Sequence, residues 1–255
     1  MIGRLVTILA LLALPAATPA AETVVAGLSQ DRIEITANYD GSNILIYGAV
    51  KREEPIPTAS RLDVVVTVEG PSASLKVLRK ARRFGLWINT DAVVVDSAPS
   101  FYAVATTAPF ANIISDTEDL RHSVSIPRAI RSVGAPQNVL DAQDFTAALI
   151  HLRESEGLYS MNEGGVNLFD QTLFRTNVQL PANLVEGIYK IRIFLLRDRQ
   201  VVDLYEKTLY VRKVGMERWL FRLSRNQPAL YGVLALTIAA AAGWAASAAF
   251  RMMRA

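Results

Sequence analysis

Hydrophobic and polar positions alternate along short segments between residue 22 and about residue 110, a period-2 pattern typical of β-strands. Arg32–Tyr39 and Asn43–Val50 both show it, and the turn Tyr39–Ser42, which contains Gly41, predicts that they pair as a hairpin. Further strands are predicted at Asp63–Glu69, Ser74–Leu78, Leu86–Asn89, Val93–Val95 and Phe101–Thr106. Short strands separated by turns predict a mainly β fold made of Ig-like antiparallel β-sandwich modules.

Residues 111–160 have a different pattern, which predicts a short helical and loop insertion in the β fold. A helix capped by Asp141 or Asp144 runs to Glu156, and Gly157 ends it. A second short helix is predicted at Asp116–His122, whereas residues 125–138 have no clear period and are expected to form a loop.

Strand patterns resume in a second β region, residues 161–215. Leu173–Leu180, Ile188–Arg197 and Val201–Lys213 are the predicted strands. Tyr189 follows Gly187 at the start of a late strand, where Ig-like domains place a tyrosine whose hydroxyl bonds to the nearby backbone. The pattern does not decide whether residues 22–110 and 161–215 form one domain or two.

Both ends of the chain are apolar, and each end predicts a membrane-targeting segment. Residues 1–21 contain Arg4, an apolar run and a cleavage site of small residues, which predict a secretory signal peptide cleaved near residues 20–22. An uncleaved anchor is the alternative. Residues 229–250 contain no charged side chain, and as a helix they would be about 33 Å long, enough to cross a bilayer core of about 30 Å.

The flanks of this predicted transmembrane helix are basic. Between Met216 and Gln227, the arginines recur on one helical face and apolar side chains on another, which predicts an interfacial amphipathic helix. The alternative is a plain helical stem. The membrane-interface residues of this segment are Arg218, Trp219, Arg222 and Arg225.

The orientation of the span follows from export. The three arginines before the span outnumber Arg251 and Arg254 after it, which by charge alone would place the tail outside. A signal peptide commits the preceding domain to export, and long domains translocate largely regardless of charge. We therefore expect a single-pass membrane protein with its large N-terminal domain outside the cytoplasm and residues 251–255 in the cytoplasm.

Small residues dominate the second half of the span. Gly243 and Ser247 lie at i and i+4 and predict a smooth face against which another helix can pack. An alanine-rich anchor without a packing role is the alternative.

Composition narrows the chemistry of the domain. The chain has 255 residues and no cysteine, which excludes disulfide scaffolds, thiolate metal sites and cysteine nucleophiles. Of its ionisable side chains, 21 basic and 23 acidic ones fall between residues 22 and 215. The domain therefore has no field that would attract nucleic acid, and no nucleic-acid partner is expected.

No catalytic or metal-binding motif is present in the sequence, and neither a cofactor nor an enzymatic activity is expected. His151 and Glu154 have a spacing that could support a metal ligand pair, but without a second histidine or a carboxylate cluster the favoured interpretation is a surface imidazole. One run of cations is a candidate anion-binding or ligand-binding site, and a solvated strand end is its alternative. The residues of this candidate site are Lys76, Arg79, Lys80, Arg82, Arg83 and Trp87.

Several stretches carry a family resemblance: LSQDRIEITANYDGSNILIYGAV, VVVTVEGPSASLKVLRKARRFGLWINTD, PSFYAVATT, LPANLVEGIYKIRIFLLRD and YGVLALTIAAAAGWAASAAF. With them the chain resembles a family of alphaproteobacterial transmembrane proteins of unknown function. The resemblance implies a single-pass protein of the bacterial inner membrane with its domain in the periplasm, and an association with sulfite-exporter-type permeases. It assigns no functional residues.

Three functions fit these features. The first is a membrane-anchored accessory or interaction protein that assists a membrane-protein partner, such as a transporter, without catalysis. The second is a periplasmic ligand- or anion-binding domain that uses the Lys76–Arg83 cations. The third is an enzyme whose polar site has no recognisable motif.

Overall fold

The computed structural model describes residues 22–36, 38–53, 55–56, 60–132, 142–214 and 216–253. The predicted signal peptide, Asp141 and Arg254 lie outside these residues. The described strands are β1 (Thr23–Leu28), β2 (Arg32–Ile35), β3 (Ser42–Lys51), β4 (Leu62–Glu69), β5 (Ser72–Arg83), β6 (Leu86–Pro99), β7 (Tyr102–Thr106), β8 (Tyr159–Asn162), β9 (Val166–Phe169), β10 (Leu173–Leu180), β11 (Gly187–Arg197) and β12 (Gln200–Lys213). The described helices are α1 (Phe110–Ile113), α2 (Asp116–His122), α3 (Ile126–Ala129), α4 (Ala142–Ser155), α5 (Met216–Asn226) and α6 (Pro228–Met253).

The domain is a β-sandwich, as the strand pattern predicted. A four-stranded sheet has the order β1-β3-β10-β9, and a six-stranded sheet has the order β2-β12-β11-β4-β7-β8. Pairing is antiparallel except at the β2–β12 and β7–β8 edges, where it is parallel. Both sheets draw strands from residues 22–110 and from residues 161–215, so these two regions form one sandwich.

Alternation along the strands explains where the core lies. In β10, Phe174, Thr176, Val178 and Leu180 are buried, whereas the residues between them face solvent. In β4, Val64, Val65, Val66 and Val68 are all fully buried. A central strand loses its alternation when both faces of its sheet are covered.

The helical insertion covers the outer face of the six-stranded sheet. Its apolar side chains Ile113, Ile114, Val124, Ile126 and Ile130 belong to the same core as β4 and β11. The His122 ring packs on Phe194 with 5.6 Å between centroids, and Arg192 donates to the carbonyl oxygen of His122 at 2.6 Å. The insertion is therefore one layer of the domain.

Several local predictions are confirmed. α2 occupies Asp116–His122 as predicted, and the Ser115 hydroxyl caps it by accepting from the amide of Glu118. β10 has the predicted bounds, and Gly157 adopts a positive φ of 70° just after α4. The Tyr189 hydroxyl donates to the carbonyl oxygen of Val185 at 2.9 Å, which is the predicted tyrosine corner.

The predicted hairpin between residues 32–39 and 43–50 is wrong. β2 pairs in parallel with β12, while β3 pairs with β1 and β10 in the other sheet. The turn at Gly41 therefore carries the chain from one sheet to the other. Similarly, the expected loop at 125–138 contains α3, and residues 133–138 lie outside the described part of the chain.

Candidate interaction surfaces

The cations of the predicted anion site lie on a long β-ribbon. β5 and β6 form a two-stranded antiparallel sheet whose register continues that of β4 and β7, and Ser97 of β6 also forms a bridge with Arg131. Two backbone hydrogen bonds join the segments: Gly70 donates to Phe101 at 2.8 Å, and Ser100 donates to Pro71 at 2.9 Å. The ribbon is therefore a continuation of two sheet strands past the end of the six-stranded sheet.

Arg79 differs from the other cations of the ribbon. Its guanidinium lies 4.4 Å from the centre of the Phe145 ring on α4 and 3.9 Å from the Asp91 carboxylate across the ribbon. These contacts brace the middle of the ribbon against α4, where Leu149 is also buried. Arg79 is therefore primarily a structural residue.

The remaining cations and Trp87 lie on the exposed part of the ribbon. Lys76, Lys80 and Arg82 alternate along β5 and share a face, and Trp87 pairs directly with Arg82 across the ribbon. Arg83 lies beside the turn, opposite Leu86. The fold thus brings four cations and Trp87 together along an open, protruding ribbon.

The tip of the ribbon carries apolar side chains that the sequence pattern did not single out. Every residue from 82 to 90 is exposed. Phe84 and Gly85 form the two-residue turn with φ of 50° and 85°, the conformation of a type I′ hairpin. Phe84 is fully exposed, at 105% of its reference area, and Leu86 and Trp87 are 70% and 69% exposed.

A second surface, which the sequence analysis missed, is an apolar groove on the outer face of the four-stranded sheet. Val25 pairs with Ala49, Ala49 with Leu173, and Leu173 with Phe169, so one row of apolar side chains crosses all four strands. Three of these four side chains are about half exposed: Val25, Leu173 and Phe169. The groove has a volume of about 590 Å³.

A glycine shapes this groove. The Tyr47 ring lies across Gly27 on the neighbouring strand, where an added Cβ atom would approach the ring to 2.8 Å. Arg175 closes the row beyond Tyr47, and its guanidinium lies 5.5 Å from the centre of the Phe169 ring. The groove is therefore preformed, with an apolar floor and one cation at its border.

The two C-terminal helices present exposed side chains. In α5, Trp219 and Phe221 are more than half exposed, and the Arg225 guanidinium lies 5.7 Å from the Phe221 ring centre. The side chains of Arg218 and Arg222 lie outside the described residues. An amphipathic helix with an exposed tryptophan suits the headgroup layer.

α6 is the candidate transmembrane helix. Its window from Pro228 to Ser247 is apolar and contains no buried residue, and among the described helices it is the one long and apolar enough to cross a bilayer. At Gly243 an added Cβ would meet nothing within 4 Å, and Ser247 is exposed beside it. The predicted packing face is thus open along the helix.

The histidines do not form a metal centre in the described part of the chain, where no group of three or more candidate ligands is found. His122 lies 3.5 Å from the Glu118 carboxylate, which also accepts from Arg121. Both contacts lie within α2, and the buried Glu118 carboxylate reaches the sheet by accepting from the amide of Val201 on β12 at 3.4 Å. His151 is exposed on α4.

A buried carboxylate, also absent from the sequence predictions, joins the two sheets. Glu22 accepts from Arg197 on β11 at 2.6 and 2.8 Å and from Arg52 after β3 at 2.5 Å. All three side chains are about 10% exposed. The Arg197 hydrogen bonds, followed by those from Arg52, hold the pKa of Glu22 below its ordinary value against the opposing effect of burial.

One family model matches most of the chain. The profile of the family described as "Putative transmembrane protein (Alph_Pro_TM)" covers residues 23–252. No curated protein matches the chain. The family match thus spans the whole sandwich and nearly all of α6.

Proposed function

Because the chain belongs to the Alph_Pro_TM family of transmembrane proteins, we propose that it is an accessory protein, anchored by α6, that binds a membrane-protein partner through its sandwich. The observation that carries this proposal is the apolar groove on the four-stranded sheet. The proposed role requires no catalytic activity and no cofactor.

The proposed location is the periplasmic side of the inner membrane. The apolar, Arg4-containing segment at residues 1–21 supports export of the sandwich, and α6 supports its retention at the bilayer. The five residues 251–255 would then lie in the cytoplasm. An alkaline phosphatase fusion after residue 213 should be active and one after residue 253 inactive, and the opposite pattern would refute this orientation.

The groove favours a protein partner for two physical reasons. Its apolar row spans four strands, which at a strand spacing of about 4.8 Å is a width of about 14 Å, enough for one helix of about 10–12 Å diameter. The second reason concerns the half-exposed side chains Val25, Leu173 and Phe169. A bound partner would remove them from water at a small cost in conformational entropy, because the sheet already fixes their backbone. Arg175 at the border would favour an acidic rim on the partner.

The open face of α6 supports a second contact inside the bilayer. Small side chains at Gly243 and Ser247 allow a partner helix to approach closely. A polytopic membrane protein satisfies both contacts at once. A transporter is the partner class we propose, with a sulfite-exporter-type permease as its specific form.

Co-purification tests the proposal. The full chain, expressed in its native host and gently solubilised, should retain a stoichiometric membrane protein identified by mass spectrometry. Val25→Asp with Leu173→Asp should reduce that partner at least about tenfold, since two charges would be buried in an apolar contact. Val185→Asp, which changes an exposed apolar residue away from the groove, is the matched control.

Two outcomes would refute this function. One is the absence of any stoichiometric partner, and the other is a partner that survives both the groove variant and Gly243→Leu. Gly243→Leu separates the two contacts, because it adds bulk only to the helix face.

Anion binding by the ribbon is the second candidate, favoured by the shared face of Lys76, Lys80 and Arg82 beside Trp87. Thermal-shift measurements with sulfite, sulfate, phosphate and acidic sugars test it. A rise in melting temperature that Lys80→Gln with Arg82→Gln abolishes would support it, and flat responses would refute it.

A further inference from the structure

We propose that the tip of the β5–β6 ribbon, residues 80–90, inserts into the surface of the bilayer that holds α6. The ribbon tip is then a second membrane contact of the sandwich. This inference rests on the anchor and on the ribbon geometry, and it does not depend on the accessory function proposed above.

The first argument is strain at an exposed position. Phe84 has a φ of 50°, a conformation that is unfavourable for a bulky L-residue and that type I′ turns normally give to Asn, Asp or Gly. Phe84 also gains no hydrophobic stabilisation inside the folded domain, since its side chain is fully exposed. A sequence selected only for a stable turn would not place phenylalanine here, so the side chain points to a role outside the folded domain.

The second argument is the chemistry of the tip. Phe84 and Leu86 are apolar, and Trp87 has the amphipathic ring found at headgroup depth in membranes. Lys80, Arg82 and Arg83 flank them with long stems whose charged ends can reach lipid phosphates. The apolar side chains of the tip therefore suit the acyl-chain boundary of an anionic bilayer, and the cations that flank them suit its phosphate layer.

The third argument is position. Glu69 at the end of β4 and Thr208 in β12 both pair with Lys190, so they lie at the same level of the six-stranded sheet. Beyond this level, β4 continues into the ribbon and β12 continues toward α5 and α6. The ribbon and the membrane anchor therefore leave the sandwich at the same end.

The ribbon is also long enough. The 12 residues of β5 span about 40 Å as a strand. From the level of Thr208, the rest of β12 adds about 17 Å and α5 at most about 17 Å before α6 begins. The tip can thus reach the headgroup layer in which α5 ends.

The tip is convex, which favours a bilayer over a protein as its occupant. Residues 82–90 are exposed on both faces of the ribbon, so a protein would need a deep complementary cleft to cover them. A fluid headgroup layer closes around such a tip without a preformed cleft.

The absence of cysteine from the chain makes the test direct, because one introduced cysteine takes one label. The full chain with Leu86→Cys or Phe84→Cys carries an environment-sensitive fluorophore and is reconstituted in lipid-only nanodiscs. Gln200→Cys, at the β11–β12 turn on the opposite end of the sheet, is the matched control. The discs contain either zwitterionic lipid alone or zwitterionic lipid mixed with anionic lipid, with bromine on the acyl chains.

We expect brominated lipid to quench the labels at 84 and 86 at least about threefold more than the label at 200, and more strongly in anionic discs. Arg82→Glu with Arg83→Glu should remove the anionic enhancement, whereas Lys51→Glu with Arg61→Glu should leave it intact.

Equal quenching at 84, 86 and 200 in lipid-only discs would overturn the proposal. The proposal would also be overturned if the labels at 84 and 86 were shielded from water only in native membranes, where a protein can be crosslinked to the tip. The tip would then bind that protein and not the lipid. Either result leaves the accessory function standing, because the groove variants test it separately.

Discussion

Glu22 joins the two sheets, so we expect its replacement to weaken the sandwich, and Glu22→Gln tests this directly. The carboxylate binds Arg197 of the six-stranded sheet and Arg52 at the end of β3 in the four-stranded sheet. Arg197 also donates to the carbonyl oxygen of Ser60 at 2.6 Å, so the cluster joins the chain at residues 22, 52, 60 and 197. Glutamine keeps the shape of the side chain but leaves two buried guanidinium groups without a counter-charge.

The expected loss follows from the burial of the cluster. Removing one partner of a buried ion pair costs about 3–5 kcal/mol, and we take about 3 kcal/mol because the neutral amide still accepts hydrogen bonds. For a domain of this size, each kcal/mol lowers the melting temperature by about 2–4 °C. Glu22→Gln should therefore melt roughly 6–12 °C below the wild type at neutral pH.

The difference should depend on pH in a defined direction. Because the folded-state pKa of Glu22 lies below its ordinary value of 4.5, its stabilising contribution is complete above that value. It is lost as the pH falls through the folded-state pKa, where the carboxyl becomes neutral like glutamine. The melting curves of wild type and variant should therefore converge in acid.

Near-UV circular dichroism of the detergent-solubilised full chain measures the melting of the aromatic core, with intact mass confirming equal N-terminal processing. Asp31→Asn is the control, because the Asp31–Lys207 pair at 3.0 Å is largely exposed and should contribute less than about 1 kcal/mol. Equal melting of Glu22→Gln and wild type at neutral pH would refute the reasoning, as would a difference that grows in acid.

Three further predictions follow from buried or strained positions. Phe84→Asn should raise the free energy of unfolding by about 1 kcal/mol, because asparagine tolerates the positive φ of the ribbon turn, and a destabilised variant in chemical denaturation would contradict this. Gly48→Val should cost about 2 kcal/mol, since its Cβ would lie 2.5 Å from the Phe174 ring and 2.7 Å from the backbone oxygen of Val25, whereas Ala49→Val on the same strand should cost less. Burial raises the pKa of three tyrosines to about 12, so the free energy of unfolding should fall as the pH rises from 10 through 12. Tyrosinate absorbance should show that these three ionise after the others, and ionisation of all eight tyrosines in one step near pH 10 would refute this. These three are Tyr102, Tyr159 and Tyr189.

Local patterns predicted local structure well in this chain. The bounds of α2 and β10, the stop at Gly157 and the Tyr189 corner all depend on residues close in sequence, and the structure confirms each. The predicted pairing of residues 32–39 with 43–50 failed because several strands have the same alternation. Which strand pairs with which is decided by burial across the whole sandwich.

The cation run was recognisable in the sequence, but its arrangement was not. Periodicity could not show that Arg79 stacks on Phe145, which lies 66 positions later, while the other cations stay on the open ribbon. The apolar groove escaped detection for a similar reason, since Val25, Ala49 and Leu173 become neighbours only through strand register.

The sequence by itself determined that this chain is mainly β with one apolar C-terminal helix, because alternation, turn residues and an uncharged run are local properties. Only the tertiary structure decided that the two β regions form one sandwich, that Glu22 joins its sheets, and that the ribbon and the anchor leave at the same end. These features depend on contacts between residues that are distant in sequence. The free energy of the whole fold selects those contacts, and they produce no periodic pattern in the sequence.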